Sequence, residues 1–154
     1  MSKCNPGASI VAKLLPKNSV GVEIGVWRGD SSVEFLERCS HLHLVDPWPD
    51  REGQYQEVKK RFAGKPVTIH RMTSAEFFDS FKPQVDWVYI DGLHDYDHVC
   101  RDLVGALTII KPGCTIYGDD YAKKDGVQEA VDEFCEAYGF ELQLLGLSQY
   151  AIAT

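Results

Sequence analysis

Short apolar runs alternate with amphipathic segments along most of the chain, a pattern typical of α/β proteins. The clearest unit spans residues 85–121. It begins with Val85 to Ile90, a β-branched and aromatic run typical of a strand that is buried on both faces. From Asp95 the apolar residues recur at steps of three and four, as on one face of a helix, and a second apolar run follows at Cys114 to Tyr117. Because strand, helix and strand form a right-handed crossover, we predict that these two strands are parallel.

The remaining chain repeats this alternation of strands and helices. We predict an α/β fold, a doubly wound, Rossmann-like and mostly parallel sheet with helices on both faces and an antiparallel C-terminal hairpin. The length predicts one domain over residues 1–154. The other predicted elements are a short helix ending at 10–15, strands at 20–26, 42–46 and 67–72, helices at about 31–39, 52–63, 73–81 and 126–138, and hairpin strands at 142–145 and 150–153.

Acidic residues follow directly after both strands of the central unit. Asp91 follows the first strand, and Asp119 and Asp120 follow the second. Neighbouring parallel strands lie about 4.8 Å apart, so adjacent strands would bring three carboxylates to one edge of the sheet. Such a cluster repels itself unless a cation or shared protons neutralise it, and open α/β sheets bind ligands at this edge. Carboxylate oxygens suit Mg²⁺, Ca²⁺ or Mn²⁺ better than zinc, so we predict a metal site here.

Histidines differ in their distance from this edge. His94 lies three residues after Asp91, and its ordinary pKa suits it to accept a proton near neutral pH. An isolated histidine is more often structural, and only its place beside the acidic residues favours a catalytic role. His98, one helical turn further, is expected to be solvated. His41 and His43 alternate along a strand away from its carboxyl end, and we interpret both as structural.

A glycine turn that contains Trp27 follows the first predicted strand. Gly25 has no Cβ, so a ligand can lie against the backbone there; alternatively, Gly25 and Gly29 serve only the turn. The spacing is not the G-x-G-x-x-G that brings a pyrophosphate onto a helix N-terminus. Glu23 would repel a pyrophosphate but tolerate an ammonium or sulfonium group. These features disfavour an NAD-dependent dehydrogenase, although Arg28 is able to meet a phosphate or carboxylate.

Asp46 ends the second predicted strand, 21 residues after Gly25. A carboxylate at this place can accept both hydrogen bonds of a ribose diol, and an acidic residue at a strand end is otherwise a turn former. Together with the glycine turn, the ribose interpretation is favoured. Trp48 then either stacks on a purine or packs beside Pro47 and Pro49.

Composition narrows the possible partners. The formal charge of −7 and the pI near 5.1 argue against nucleic acid as the main partner, because phosphate binding requires a basic face. The N-terminus lacks a signal-like apolar core, and no apolar run approaches the roughly 20 residues that span a bilayer. We therefore expect a cytoplasmic protein without a membrane partner. The cysteines form no C-x-x-C pair and are expected to be reduced and structural; they are Cys4, Cys39, Cys100, Cys114 and Cys135.

The ordered set of motifs resembles class I S-adenosylmethionine-dependent methyltransferases. More narrowly, it is similar to the metal-dependent O-methyltransferases, the group that contains catechol O-methyltransferase and the sugar O-methyltransferases of macrolide biosynthesis. The match covers residues 20–154. It is carried by Glu23-x-Gly25-x-x-x-Gly29, Asp46, Asp91-Gly-Leu-His94, Lys111-Pro-Gly113 and Asp119-Asp120.

The resemblance implies a strand order of 3-2-1-4-5-7-6 and a cofactor site for S-adenosylmethionine. It also implies a second cofactor, Mg²⁺ or another hard divalent cation, held by Asp91, Asp119 and Asp120. His94 falls where such enzymes carry a general base, and Asp91 would take part in catalysis as well as in the cofactor site. The residues expected at the cofactor are Glu23 and Gly25 at the methionine part, Trp27 in the same turn, Asp46 at the ribose, Trp48, Thr73 and Ser74 near the adenine, and Asp91.

The implied activity is metal-dependent O-methylation of a hydroxyl group on a small molecule. A histidine at the base position slightly favours a sugar or alcohol acceptor over a catechol. The chain is short for this family, and only the loops at 48–55, 121–127 and 147–149 remain to shape an acceptor pocket. Either the acceptor is bulky and lies mostly outside this pocket, or a second subunit completes the site. Because members of the family often self-associate, the resemblance also implies a homodimer.

Two other functions are weighed against this one. A catalytically silent module that binds the cofactor or a partner would explain the short chain, but it explains His94 and three carboxylates at one edge less easily. Nucleic-acid methylation is disfavoured, because the fourth strand ends in Asp-Gly-Leu-His and lacks an Asn/Asp-Pro-Pro-aromatic motif.

Overall fold

Seven strands form one mixed sheet in the computed structural model, which describes residues 6–154. The strand order is β3-β2-β1-β4-β5-β7-β6, with β1 to β5 parallel and β7 antiparallel to both of its neighbours. The predicted fold class and strand order are confirmed. The elements are α1 Pro6–Leu14, β1 Ser19–Ile24, α2 Asp30–Leu36, β2 Cys39–Val45, α3 Glu52–Arg61, β3 Val67–His70, α4 Ser74–Ser80, β4 Val85–Ile90, α5 Tyr96–Ile109, β5 Ile110–Gly118, α6 Asp125–Tyr138, β6 Glu141–Leu145 and β7 Gln149–Ala153.

Element ends differ from the predictions where a local backbone feature decides them. Strand β1 ends at Ile24, two residues earlier than predicted, because Gly25 adopts a positive φ of 85° and leaves the extended conformation. Helix α2 ends at Leu36, and Cys39 begins β2 instead of ending the helix. Strand β4 and the capping box of α4 match their predictions.

Two apolar clusters cover the two faces of the sheet. One lies under α4, α5 and α6, and the other lies under α1, α2 and α3. In the second cluster the Trp87 ring occupies space above Gly21, where a Cβ would lie 2.0 Å from the indole. The indole N–H donates to the Ser19 hydroxyl at 2.9 Å, so this buried donor is satisfied. Helices therefore cover both faces of the sheet.

Histidines on β2 and β3 are structural, as predicted for two of them. Nδ1 of His43 and Nε2 of His70 lie 3.0 Å apart, and Nε2 of His41 lies 2.9 Å from the Thr68 hydroxyl. Burial, with smaller contributions from His41 and His70, lowers the pKa of His43 to about 4. His41 and His43 lie within β2, whereas His70 is the last residue of β3.

Four of the cysteines, Cys39, Cys100, Cys114 and Cys135, are free. Cys4 lies outside the described residues. Within residues 6–154, every helix is too short or too polar to cross a bilayer.

Candidate functional site

Three loops meet where the chain leaves the parallel strands. The amide of Gly25 donates to the Val45 carbonyl at 2.9 Å, and the amide of Asp91 donates to the Ile24 carbonyl at 2.8 Å. These bonds extend the parallel ladder by one residue, so the loops after β1 and β4 begin side by side at the carboxyl edge of the sheet. The chain proceeds from β1 to β2 on one side and from β4 to β5 on the other, and ligands bind at such a reversal of strand order.

The glycine turn is shaped by its neighbour loop. A Cβ on Gly25 would lie 2.0 Å from the backbone oxygen of Asp91, and its φ of 85° is strained for any other residue. The space beside Gly25 is therefore filled by the β4 loop, which gives this glycine a structural role independent of a ligand. Trp27 and Gly29 follow with positive φ values of 51° and 75°. Three left-handed residues in five positions fold the turn back over β1.

Asp46 holds this turn in place. Its Oδ2 accepts hydrogen bonds from the amides of Val26 at 3.0 Å and Trp27 at 2.9 Å, and its Oδ1 accepts one from the amide of Trp48 at 2.7 Å. A carboxylate has about four acceptor positions, so about one remains for a ligand. The sequence-based prediction that Asp46 accepts both hydroxyls of a ribose therefore needs a second acceptor beside it.

Glu23 lies buried beneath the turn. The Ser32 hydroxyl donates to Glu23 Oε2 at 2.5 Å, and the side chain is 1% exposed. Burial is the main reason that the pKa of Glu23 is raised well above its ordinary value, although the Ser32 bond opposes it and the charges of Asp91 and Asp46 add to it. Glu23 thus lies under the turn as a group that any cofactor ammonium or water nearby would stabilise in its charged form.

The two tryptophans of this region differ in exposure. Trp27 is 54% exposed, with the Arg28 guanidinium 4.7 Å from its ring centroid. Trp48 is 1% exposed, its indole N–H donates to the Trp27 carbonyl at 2.8 Å, and its ring packs against Tyr55. The ring is therefore packed against Tyr55, whereas the predicted neighbours were Pro47 and Pro49. Its contact with a purine stays a prediction and requires the ring to be uncovered.

The N-terminus of α4 carries the two residues predicted near the adenine, with Thr73 as the N-cap and Ser74 as the first helical residue. The Thr73 hydroxyl and backbone are engaged with Glu76 in the capping box. Ser74 bonds to Asp102, a buried carboxyl of α5 that the sequence did not single out. Burial raises the pKa of Asp102 to about 6, and the Ser74 bond opposes this shift. Asp102 therefore links the N-terminus of α4 to α5.

The predicted acidic cluster forms at the ends of β4 and β5. Ligand atoms of Asp91, His94 and Asp120 lie within 4.8 Å of one another, and Nε2 of His94 is 3.4 Å from Oδ2 of Asp120. No residue in 6–154 donates a hydrogen bond to the Asp91 side chain. Burial, followed by the charges of Asp119 and Asp120, raises the pKa of Asp91 to about 8. The cluster is short of positive charge.

Asp119 is held differently from its neighbours. Its Oδ1 accepts hydrogen bonds from the Asp120 amide at 2.6 Å, the Ser148 hydroxyl at 2.6 Å and the Gln149 amide at 2.8 Å. Burial alone would raise its pKa, but these bonds hold it below the ordinary value. The predicted set of Asp91, Asp119 and Asp120 thus differs from the converging set by one member, with His94 in the place of Asp119. Metal binding by either set stays a prediction.

The residues around the cluster fit a cofactor and a cation. The Tyr89 hydroxyl is buried, has no hydrogen-bond partner among the described residues, and lies in the field of Asp91, Asp119 and Glu23. An orphaned buried hydroxyl is costly unless a ligand or water satisfies it. The donor set of two carboxylates and one imidazole, with an unbonded Asp91, fits a divalent cation. Sequence reasoning missed Tyr89, since nothing in a buried strand marks an unpaired hydroxyl.

A family model described as a methyltransferase domain matches residues 22–121. The matched region contains the glycine turn, Asp46 and the acidic cluster. The chain belongs to this family. Membership confirms the resemblance to class I S-adenosylmethionine-dependent methyltransferases. No curated protein sequence matches this methyltransferase significantly.

Solved structures of other methyltransferases share its fold. A precorrin-6y C5,15-methyltransferase from Geobacter metallireducens gives a TM-score of 0.77 at 16% identity, over 100% of this chain and 93% of that one. An O-methyltransferase from Bacillus cereus in complex with SAH gives 0.71 at 14% identity, over 99% and 83%. An rRNA methylase from Streptococcus thermophilus gives 0.71 at 11% identity, over 96% and 93%. The chain spans 46% of another match, Trm5b from Pyrococcus abyssi. At these identities the likeness shows the fold and leaves the acceptor class open.

Proposed function

We propose that this methyltransferase transfers the methyl group of S-adenosylmethionine to a hydroxyl group of a small molecule, with a divalent cation at the acidic cluster. The convergence of Asp91, His94 and Asp120 within 4.8 Å beside the glycine turn carries the proposal. A silent binding module would have no need of an unbonded, partly buried carboxylate next to two further acidic groups, because this arrangement costs stability.

The proposed mechanism assigns a task to each group of the site. A bound divalent cation would lower the pKa of an acceptor hydroxyl, and S-adenosylmethionine would supply the methyl group. His94 accepts the hydroxyl proton on Nε2, and Asp120, 3.4 Å away, stabilises the imidazolium that results. Asp46 keeps the turn folded so that the cofactor is held in line with the acceptor oxygen.

Exposed apolar side chains beside the cluster support a small acceptor with an apolar part. Leu93, which lines a small cavity with Asp91 and Asp119, is 60% exposed, and Leu147 in the β6–β7 hairpin is 91% exposed. Leu147 precedes Ser148, which donates to Asp119, so the hairpin tip flanks the same cluster. The net charge of −7 works against a nucleic-acid backbone as acceptor. An acceptor with a hydroxyl group and an apolar body would fit both features.

The first test compares classes of methyl acceptor. Transfer of labelled methyl groups is measured with sugars, alcohols, catechols and RNA, in Mg²⁺ or in a chelator. We expect transfer to a hydroxyl acceptor that the chelator abolishes. Transfer to RNA alone, or transfer that is unaffected by the chelator, would contradict the proposal.

The base assignment is tested by His94→Ala, with His98→Ala as the matched control. His98 is a partly exposed histidine of α5 that bonds to Asp95. We expect His94→Ala to lower kcat by about 100-fold or more, the usual contribution of a general base, while Mn²⁺ still binds. Loss of Mn²⁺ binding in this variant would make His94 a ligand instead of a base. We also propose that the protein forms a homodimer. Light scattering of the purified protein measures its oligomeric state.

A further inference from the structure

We propose that Lys123 is an internal counter-cation of the acidic cluster and competes with the divalent cation for Asp120, so that it sets the metal affinity of the site. This inference rests on the proposed function, because it takes Asp91 and Asp120 as the carboxylates that receive the cation, with His94 beside them as the base.

A backbone turn at Asp120 places Lys123 beside the cluster. Asp120 adopts a positive φ of 66°, and its carbonyl accepts hydrogen bonds from the amides of both Lys123 and Lys124 at 3.1 Å. This turn folds the chain back, and Nζ of Lys123 lies 3.2 Å from Oδ1 of Asp120 and 4.0 Å from Oδ1 of Asp119. The ammonium group therefore sits on the carboxylate that the converging set offers to a metal ion.

The two oxygens of Asp120 face two different side chains. Oδ1 is paired with Lys123, and Oδ2 lies 3.4 Å from His94. Asp91 also lies within the field of Lys123, which partly offsets the repulsion that it feels from Asp119 and Asp120. Among residues 6–154, Lys123 is the lysine whose side chain forms ion pairs with Asp119 or Asp120. It thus supplies the nearest permanent positive charge to the cluster.

A divalent cation and this ammonium group exclude one another. Both would lie within a few ångströms of Asp120, where like charges repel strongly. The Lys123 side chain is 56% exposed, so it can turn into solvent when a cation enters, and its departure costs little. Metal entry is then an exchange of one cation for another, and the measured metal affinity is lowered by the affinity of the site for its own lysine.

The chain offers a matched control for this idea. Lys124 has the same charge and the adjacent position, and its amide bonds to the same carbonyl. Its side chain forms no ion pair with the cluster in the described part of the chain. Replacement of either lysine removes one positive charge from the same loop, but only the replacement of Lys123 removes it from Asp120.

The experiment measures Mn²⁺ binding to metal-free protein by electron paramagnetic resonance at constant pH and ionic strength. The variants are Lys123→Gln, Lys123→Arg and Lys124→Gln. We expect Lys123→Gln to bind Mn²⁺ about tenfold more tightly than the wild type, since one nearby repulsive charge is removed. Lys123→Arg, which retains the charge, and Lys124→Gln are expected to stay within about twofold of the wild type, because a charge that is not paired with the cluster is largely screened.

The outcomes distinguish a failure of the proposed role of Lys123 from a failure of the proposed metal site. Equal or weaker Mn²⁺ binding by Lys123→Gln, with normal binding by the wild type, would overturn the role of Lys123 and leave the proposed metal site intact. No Mn²⁺ binding by any of the proteins would overturn the metal site itself, and the role of Lys123 with it. Thermal unfolding of each variant shows that the exposed substitutions leave the fold unchanged.

Discussion

Asp46 and Asp91 occupy equivalent places in the sheet but have opposite environments. Each is the first residue after a parallel strand, and both lie at the same carboxyl edge. Asp46 accepts three backbone N–H bonds, whereas no described residue donates a hydrogen bond to the side chain of Asp91. The charge of Asp46 is therefore stabilised by the protein's own backbone, whereas the charge of Asp91 lacks comparable stabilisation.

The difference shows which half of the site depends on a ligand. The turn after β1 keeps its shape because Asp46 holds it, so the proposed cofactor side is organised without a ligand. The side formed by Asp91 and Asp120 stores electrostatic repulsion that a cation or protons would relieve. The same substitution, aspartate to asparagine, should consequently have opposite effects on stability at the two places.

Asp46→Asn should give the largest effect. The amide would place an NH₂ group against backbone N–H donors that now bond to a carboxylate, and Trp27 and Trp48 would lose support for their left-handed conformations. We expect a loss of about 2–4 kcal/mol in the free energy of unfolding, together with loss of S-adenosylmethionine binding. Urea unfolding and calorimetry measure the two quantities.

Asp50→Asn is the control for that change, because it removes a negative charge from the same loop at an exposed place. Asparagine also tolerates the positive φ of 53° found there. It is expected to change stability by less than about 0.5 kcal/mol, as surface substitutions usually do. An equal loss in both variants would mean that Asp46 acts through charge and not through its three bonds.

Asp91→Asn should have a smaller effect of the opposite sign. In a chelator, the neutral amide removes the repulsion from Asp119 and Asp120 and can donate a hydrogen bond to either of them. We expect the free energy of unfolding to rise by about 1–3 kcal/mol, while Mn²⁺ binding is lost. A destabilised variant would show that Asp91 is already satisfied in the protein, and the comparison with Asp46 would fail.

The sequence predicts the positions of these carboxylates better than their bonds. Strand β4 has a local pattern that fixes both of its ends, so the place of Asp91 after the strand follows directly. The partners of Asp46 are backbone amides, which carry no residue-specific signal. The donors to Asp119 come from Ser148 and Gln149, about 30 residues away, and only the packing of β7 on β5 brings them there. The pairing of Lys123 with Asp120 differs from these, because Lys123 lies three residues after Asp120 and this spacing can be read from the sequence.

Asp102→Asn sharpens the comparison with a third carboxyl, which is fully buried, and its effect should depend on pH. Burial raises the pKa of Asp102 to about 6, so the folded protein binds an additional proton between the ordinary value of 3.8 and that pKa. Stability from this group therefore rises as the pH falls through 6, and the burial of its charge is most costly above pH 7. We expect the variant to be more stable than the wild type by about 1–2 kcal/mol at pH 8, since the amide can retain a bond to Ser74, and equally stable near pH 4. Urea unfolding of both proteins at the two pH values measures the difference, in which the acid sensitivity of His43 cancels. If the difference in the free energy of unfolding between the two proteins is the same at both pH values, folding does not shift the pKa of Asp102. The role of Asp102 would then be limited to its bond with Ser74.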